Sequence, residues 1–193
     1  MPKPIRQQLS EYYNSLRTAR SPDRAILTEK IFPALGQTSA LGPQSAILWI
    51  GCRRYTQNYY PLLERWGACC WTVDIDPEAS RWGRCGRHRV GDILNLATLF
   101  PDLRFDAILC NGVFGFGVDS LSAQQSASEA MAAVIKPTGW LLLGWNTDRI
   151  IDPVQTNVTA PWFERAALPG FGEHYPVAGC THVYEVFRRK AAE

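Results

Sequence analysis

Residues 45–76, SAILWIGCRRYTQNYYPLLERWGACCWTVDID, constrain this chain more than any other stretch, because they spell strand, turn, helix, strand. The apolar run 46–50 is short and suits a strand buried on both faces of a parallel sheet. Gly51 follows at once, where the chain must turn tightly and where a ligand can approach bare backbone. Tyr59, Leu62, Leu63 and Trp66 recur at helical spacing and predict a helix over 55–66, ended by Gly67. A second apolar strand, 69–73, finishes on Asp74. In a strand–helix–strand unit, that carboxylate lies near the turn after the first strand. The placement suits an adenosine ligand, since two carboxylate oxygens can accept from both ribose hydroxyls.

At 193 residues the chain favours one domain, which at this size buries roughly 70% of its unfolded surface and needs no staples. A net charge of +2 gives no reason to expect a nucleic-acid partner. None of the six cysteines has C-x-x-C spacing, so we expect no metal site. Cys69, Cys70 and Cys110 fall in apolar strand runs and read as small hydrophobes. The N-terminus lacks the apolar core of a signal peptide, and no run approaches the ~20 apolar residues of a membrane span. The expectation is a soluble, reduced, cytoplasmic protein. Nothing in the sequence speaks to oligomeric state.

The remaining chain continues the alternation. Residues 1–40 read as a helical extension, with helices over 5–18 and 23–35, the second kinked near Pro33. Residues 41–193 read as the main domain. Residues 77–83 make a short helix. The segment 81–89, RWGRCGRHR, is a basic cluster that either attracts an anionic substrate or is a solvated loop. A short third strand ends before Gly91-Asp92, and a helix over 93–100 follows. The fourth strand, 105–110, leads into a loop, 111–119, in which three glycines interleave with Phe114 and Phe116. A helix over 121–136 and a central fifth strand, 140–145, come next. Residues 146–161 read as an irregular insertion near the pocket, 163–168 as a sixth strand, and 182–188 as a last, antiparallel strand.

Four segments in order carry a resemblance: VDIDP (73–77), GDILNL (91–96), FDAILCNGVFGFGVD (105–119) and KPTGWLLLGWN (136–146). Together they resemble the class I, Rossmann-like, S-adenosylmethionine (SAM)-dependent methyltransferases. The resemblance implies an α/β three-layer sandwich. Its mostly parallel, twisted, seven-stranded sheet has an antiparallel last strand and helices on both faces. It implies SAM as cofactor, held by Gly51, Cys52 and Arg53 in the first turn, Asp74 and Ile75 at the ribose, Asp92 and Ile93 at the adenine, and Asn111 and Gly112 at the methionine moiety. Asp92 has a second reading as a plain helix N-cap, and both can hold. Phe114, Phe116, Trp145 and Tyr13 are the expected substrate contacts, in an aromatic, apolar pocket. For Phe114, Phe116 and Tyr13 the competing reading is core packing. The acceptor is expected to be a small molecule, a lipid or a glycan precursor.

The first turn departs from the family pattern. Trp49 stands where an acid is common, and Arg53 and Tyr55 occupy two customary glycine positions. Arg53 is a candidate partner for the SAM carboxylate. The altered turn also leaves open a regulatory binding protein on the same fold, with reduced catalysis. A dinucleotide oxidoreductase would want G-x-G-x-x-G after the first strand, which Gly51-Cys52-Arg53-Arg54 does not supply. No catalytic residue is assigned; His174, His182, Asp119 and Asp148 are the candidates for a general base.

Overall fold

The computed structural model describes residues 21–38 and 41–191. The predicted helix over 5–18, with Tyr13, lies outside the described residues. The chain enters through α1 (Pro22–Ile26), a π-helical turn (Leu27–Ile31) and α2 (Phe32–Gly36). The sequence predicts one helix kinked near Pro33, and the structure widens it just upstream. Pro33 has no N–H to return to a carbonyl one turn back, and the π turn absorbs the missing bond.

β1 (Ala46–Ile50) leads into a 3₁₀ turn (Arg54–Asn58) and α3 (Tyr60–Glu64). The predicted 55–66 helix is therefore shorter, because Pro61 fits only the first turn of α3 and cannot donate back into the preceding residues. β2 (Cys69–Asp74), a 3₁₀ turn (Pro77–Trp82), β3 (His88–Val90), a second 3₁₀ turn (Ile93–Asn95) and α4 (Leu96–Leu99) follow. β4 (Phe105–Asn111), α5 (Leu121–Val134), β5 (Ile135–Asn146), β6 (Phe163–Arg165), β7 (His174–Pro176) and β8 (His182–Arg189) complete the fold.

All strands join one sheet in the order β3-β2-β1-β4-β5-β8-β6, with β7 also paired to β8. The five strands from β3 to β5 are parallel, and β8 runs antiparallel to β5. The sequence predicts seven strands, and eight are present among the described residues. β6 pairs with Phe187–Arg189 of β8, and β7 with Val183–Glu185 of the same strand. The pair therefore fills one sheet position, interrupted by a turn in which Leu168 bridges Gly172.

The registers decide where a ligand could sit. Ile50 lies beside Val73 on one side and Cys110 on the other, so β1, β2 and β4 end almost level. Gly51 N–H donates to Val73 O, Gly91 N–H to Asp74 O and Gly112 N–H to Gly144 O, each at 2.9 Å. The strand order reverses between β1 and β4, which opens a crevice beyond their carboxyl ends.

Each face of the sheet carries its own core. Along β1, Leu48 and Ile50 face one cluster, with Phe105, Phe114 and Met131. Ile47 and Trp49 face the other, with Phe32, Tyr59 and Leu63. Trp49 is 1% exposed and meets Phe32 edge-on at 6.5 Å. Its indole N–H donates to Gly51 O at 2.6 Å, so the residue replacing the expected acid still holds the turn. Trp49→Ala should cost about 3–5 kcal/mol in urea unfolding, because it removes both the packing and this hydrogen bond. A loss under 1 kcal/mol would contradict the role given to the indole.

Candidate active site

Four strand tips and one loop enclose a cleft of about 910 Å³, counting its open mouth. Its walls include Gly51, Arg53, Asp74, Asp92, Asn111 and Phe116. Asp74 and Asp92 thus face the same space, as strand-tip acids of β2 and β3 should. Ile75, Leu94 and Phe116 also line it, and they are 66%, 41% and 52% exposed. Apolar side chains left this open around one cleft call for a flat apolar ligand surface. Leu94 is missing from the predicted set. Its signal was its position two residues past Asp92, which makes it the first exposed side chain beyond the acid.

Asp74 is the most tightly held group here, with a side chain 4% exposed. Its Oδ2 accepts from the Cys52 N–H at 2.6 Å and from Arg53 Nη1 at 3.0 Å. Its Oδ1 accepts from the Asp76 N–H at 2.9 Å. Asp92 Oδ1 accepts from the Leu94 N–H at 3.0 Å, so Asp92 caps the turn that follows while still lining the cleft. Arg53 spans the two ends of the first turn, because Nη1 also donates to Cys52 O at 2.7 Å.

Three expected contacts are placed elsewhere. Cys52 is fully buried, is absent from the cleft wall and has its N–H engaged by Asp74. Burial pushes its thiol up to about 11, with Tyr60 Oη donating to Sγ at 3.6 Å. Phe114 is fully buried in the core, while Phe116 faces the cleft. Gly112, Gly115 and Gly117 all have positive φ and fold the loop so that Val118 N–H returns to Val113 O at 3.3 Å. That turn sends Phe114 inward and Phe116 outward. Trp145 is 3% exposed and reaches a different hollow, with Asp148, Asp152 and His174. It follows Gly144 in β5, and strand alternation directs it to the opposite face.

A second hollow of about 940 Å³ adjoins the cleft and shares Arg53, Tyr55, Asn111, Gly112 and Phe116 with it. The rest of its wall is polar: Asp23, Arg24, Asn146, Cys180 and His182. An aromatic, apolar pocket was expected beside the cofactor, and this one is charged. Sequence reading missed Asp23, Arg24 and Asn146, because nothing local marks residues that meet only through the fold. The basic cluster resolves as structure: Arg84 and Arg87 pair with Glu64 at 2.7 and 3.2 Å, and Arg81 with Glu78 at 3.8 Å.

A cleft at the reversal of a parallel sheet, with acids on neighbouring strand tips, defines a class I SAM-dependent methyltransferase fold. Residues 48–143 match the family described as a methyltransferase domain. The chain belongs to the SAM-dependent methyltransferases. It is similar to a TehB-like SAM-dependent methyltransferase from Corynebacterium glutamicum, at 19% identity and a TM-score of 0.65, covering 94% of this chain and 97% of that one. It is similar to an S-adenosylmethionine-dependent methyltransferase from Clostridium acetobutylicum, at 11% identity and 0.68, covering 97% and 100%. The N-methyltransferase NodS from Bradyrhizobium japonicum, in complex with S-adenosylhomocysteine, matches at 18% and 0.58, covering 93% and 98%. No curated protein sequence matches the chain.

SAM, the cofactor of this family, fits the cleft chemically. Carboxylates stand at two strand tips, and apolar side chains lie exposed between them. A Cβ at Gly112 would meet nothing within 4 Å, so backbone there is open to a close approach.

Burial gives a direct test of the cysteine assignments. At pH 8, iodoacetamide should label the exposed Cys69, Cys85 and Cys180 and spare Cys52, whose raised pKa keeps it a thiol. Mass spectrometry after denaturation should then find Cys52 newly reactive. Labelling of native Cys52 at the rate of Cys85 would contradict its placement.

Proposed function

We propose that this enzyme transfers the methyl group of SAM to a small polar molecule seated in the second hollow, by in-line displacement. The observation that carries the reading is the pair of carboxylates, Asp74 and Asp92, on one cleft that opens through a shared wall into a charged chamber. Bound SAM supplies an activated methyl on a sulfonium. Asp74 is the group for the ribose hydroxyls. Asp92 and the Ile93 backbone take the adenine edge, with Ile75 and Leu94 against its faces. Asn111 and Gly112 hold the methionine portion, next to the chamber they also line. Holding an acceptor in line with the methyl supplies much of the rate by itself. A lipid acceptor fits less well than a small polar one, because Asp23, Arg24 and Arg53 would have to be covered by an apolar chain.

Arg53 is assigned to the SAM carboxylate. It is half exposed, at 56%, and its guanidinium rests on Asp74 in this structure. No helix among the described residues is long and apolar enough to cross a membrane. All six cysteines are unpaired, which supports a reducing compartment such as the cytoplasm.

Calorimetry with S-adenosylhomocysteine tests the cleft. Asp74→Asn should weaken binding about 10- to 100-fold, the range for a hydrogen bond to a charged group. Arg53→Met should weaken S-adenosylhomocysteine several-fold more than methylthioadenosine, which has no carboxylate and shares only the ribose contact at Asp74 that Arg53 supports. Equal losses for both ligands would reject the Arg53 assignment, and no binding by the wild type would reject the cleft.

A further inference from the structure

The floor of the second hollow holds two hydrogen-bond acceptors with nothing to accept. Gly144, near the carboxyl end of β5, has no side chain, and that lets the two atoms come together there. A Cβ on it would collide with Asn111 Oδ1 and stand 2.9 Å from His182 Nε2. Both atoms are buried, and neither has a hydrogen-bond partner among the described residues. Burying an unmatched polar atom is unfavourable, so two at one point are a reason to look for a donor that arrives later.

The proton positions follow from the neighbours. Asn146 Nδ2 donates to Thr181 Oγ1 at 2.9 Å, which turns Asn146 Oδ1 toward His182. His182 Nδ1 lies 3.1 Å from that oxygen, and the tautomer that satisfies this contact carries its proton on Nδ1. Nε2 is then the lone-pair nitrogen. The Asn111 amide lies near the Tyr184 phenol, whose pKa burial pushes well above the ordinary tyrosine value. Asn111 Oδ1 is the end of that amide with no partner among the described residues. The His182 ring is also braced edge-on against Tyr184, at 4.6 Å between centroids.

We propose that His182 Nε2, with Asn111 Oδ1 beside it, receives the N–H or O–H of the methyl acceptor, so that the enzyme methylates nitrogen or oxygen. The inference rests on the reading of the hollow as the acceptor chamber. In the step, the acceptor's lone pair bonds to the methyl carbon. The carbon–sulfur bond breaks with its electrons left on sulfur. The acceptor's proton passes to His182 Nε2, giving an imidazolium and a neutral thioether. An acceptor that presents carbon alone has no donor for these two atoms.

The charged and titratable groups facing His182 are Asp23 and Arg24 from α1, Arg53 and Tyr55 from the first turn, Cys180, and Tyr184 beneath the ring. Burial is the largest influence on the imidazole and lowers its pKa below 6.5, with Asp23 opposing. His182 is therefore neutral at neutral pH, the form that can take a proton, and an acid limb due to it falls below pH 6.5.

The test uses the full chain with ring-¹⁵N histidine, saturated with S-adenosylhomocysteine and followed by long-range proton–nitrogen NMR. At pH 7.5, His182 should show a protonated Nδ1 and a lone-pair Nε2. A panel of primary amines, alcohols and phenols should contain members that move the Nε2 resonance, while their tertiary-amine and ether counterparts do not. With labelled SAM, His182→Phe should lose about 100-fold or more in transfer to those members, with S-adenosylhomocysteine affinity kept. A protonated Nε2, an Nε2 that no N–H or O–H probe moves, a bridging water that stays in place, or full turnover by His182→Phe would each overturn the assignment. Failure to saturate with S-adenosylhomocysteine would instead overturn the cofactor reading beneath it.

Discussion

The upper edge of the sheet depends on the Asp74 carboxylate. It is a buried anion that accepts from the Cys52 N–H, the Arg53 guanidinium and the Asp76 N–H. A buried charge persists only when it is paired and hydrogen-bonded, so these three donors fix one another's positions. The result explains how a first turn poor in glycine keeps its shape. After Gly51, at φ +86°, the chain becomes extended at Arg53, a conformation open to any side chain. Thr56 then closes the turn: its hydroxyl accepts from the Arg53 N–H at 3.1 Å and lies 2.7 Å from Arg53 O. Rigidity that other chains draw from close backbone packing comes here from a carboxylate and a hydroxyl.

Two spaces of different character share that edge. The cleft over β1, β2 and β3 offers acids at strand tips and apolar side chains between them. The hollow beyond β4 and β5 offers charge and amides. Arg53, Tyr55, Asn111, Gly112 and Phe116 belong to both, so any group passing from one to the other crosses a wall of five residues. Proximity of this kind is what a displacement needs, since alignment of donor and acceptor carries much of the barrier lowering.

How much of this could be read from the chain divides by range. The strands of the parallel core follow from apolar runs, and the acids at their tips follow from strand–turn chemistry, so Gly51, Asp74 and Asp92 were found without coordinates. Features set by backbone handedness were not. The facing of Phe114 and Phe116 depends on three positive-φ glycines, and the sequence reads the same whichever ring points in. The helix over 55–66 was drawn too long because Pro61 acts on hydrogen bonds one turn upstream, whereas the helix over 23–35 is present with a π turn before Pro33. Features set by distant contacts were the least legible. Asp23 and His182 lie far apart in the chain, yet Tyr184 Oη donates to Asp23 O at 2.9 Å and draws α1 over β8. Among the candidate bases, His174 is held by the fully buried Glu185 at 2.5 Å, and Asp119 accepts from the Gly117 N–H. Only their surroundings separate them from His182.

The glycine loop over the cleft does not stand alone. Arg149, from the irregular segment after β5, places its guanidinium 5.0 Å from the centre of the Phe116 ring. Its Cβ would be 2.7 Å from any side-chain carbon added at Gly115. The segment thus behaves as a splint: it leans on an exposed aromatic ring of the cleft, and it tolerates no thickening of the hinge beneath that ring. Changes in a stretch that touches neither acid could therefore retune how readily the pocket's rim admits a nucleoside.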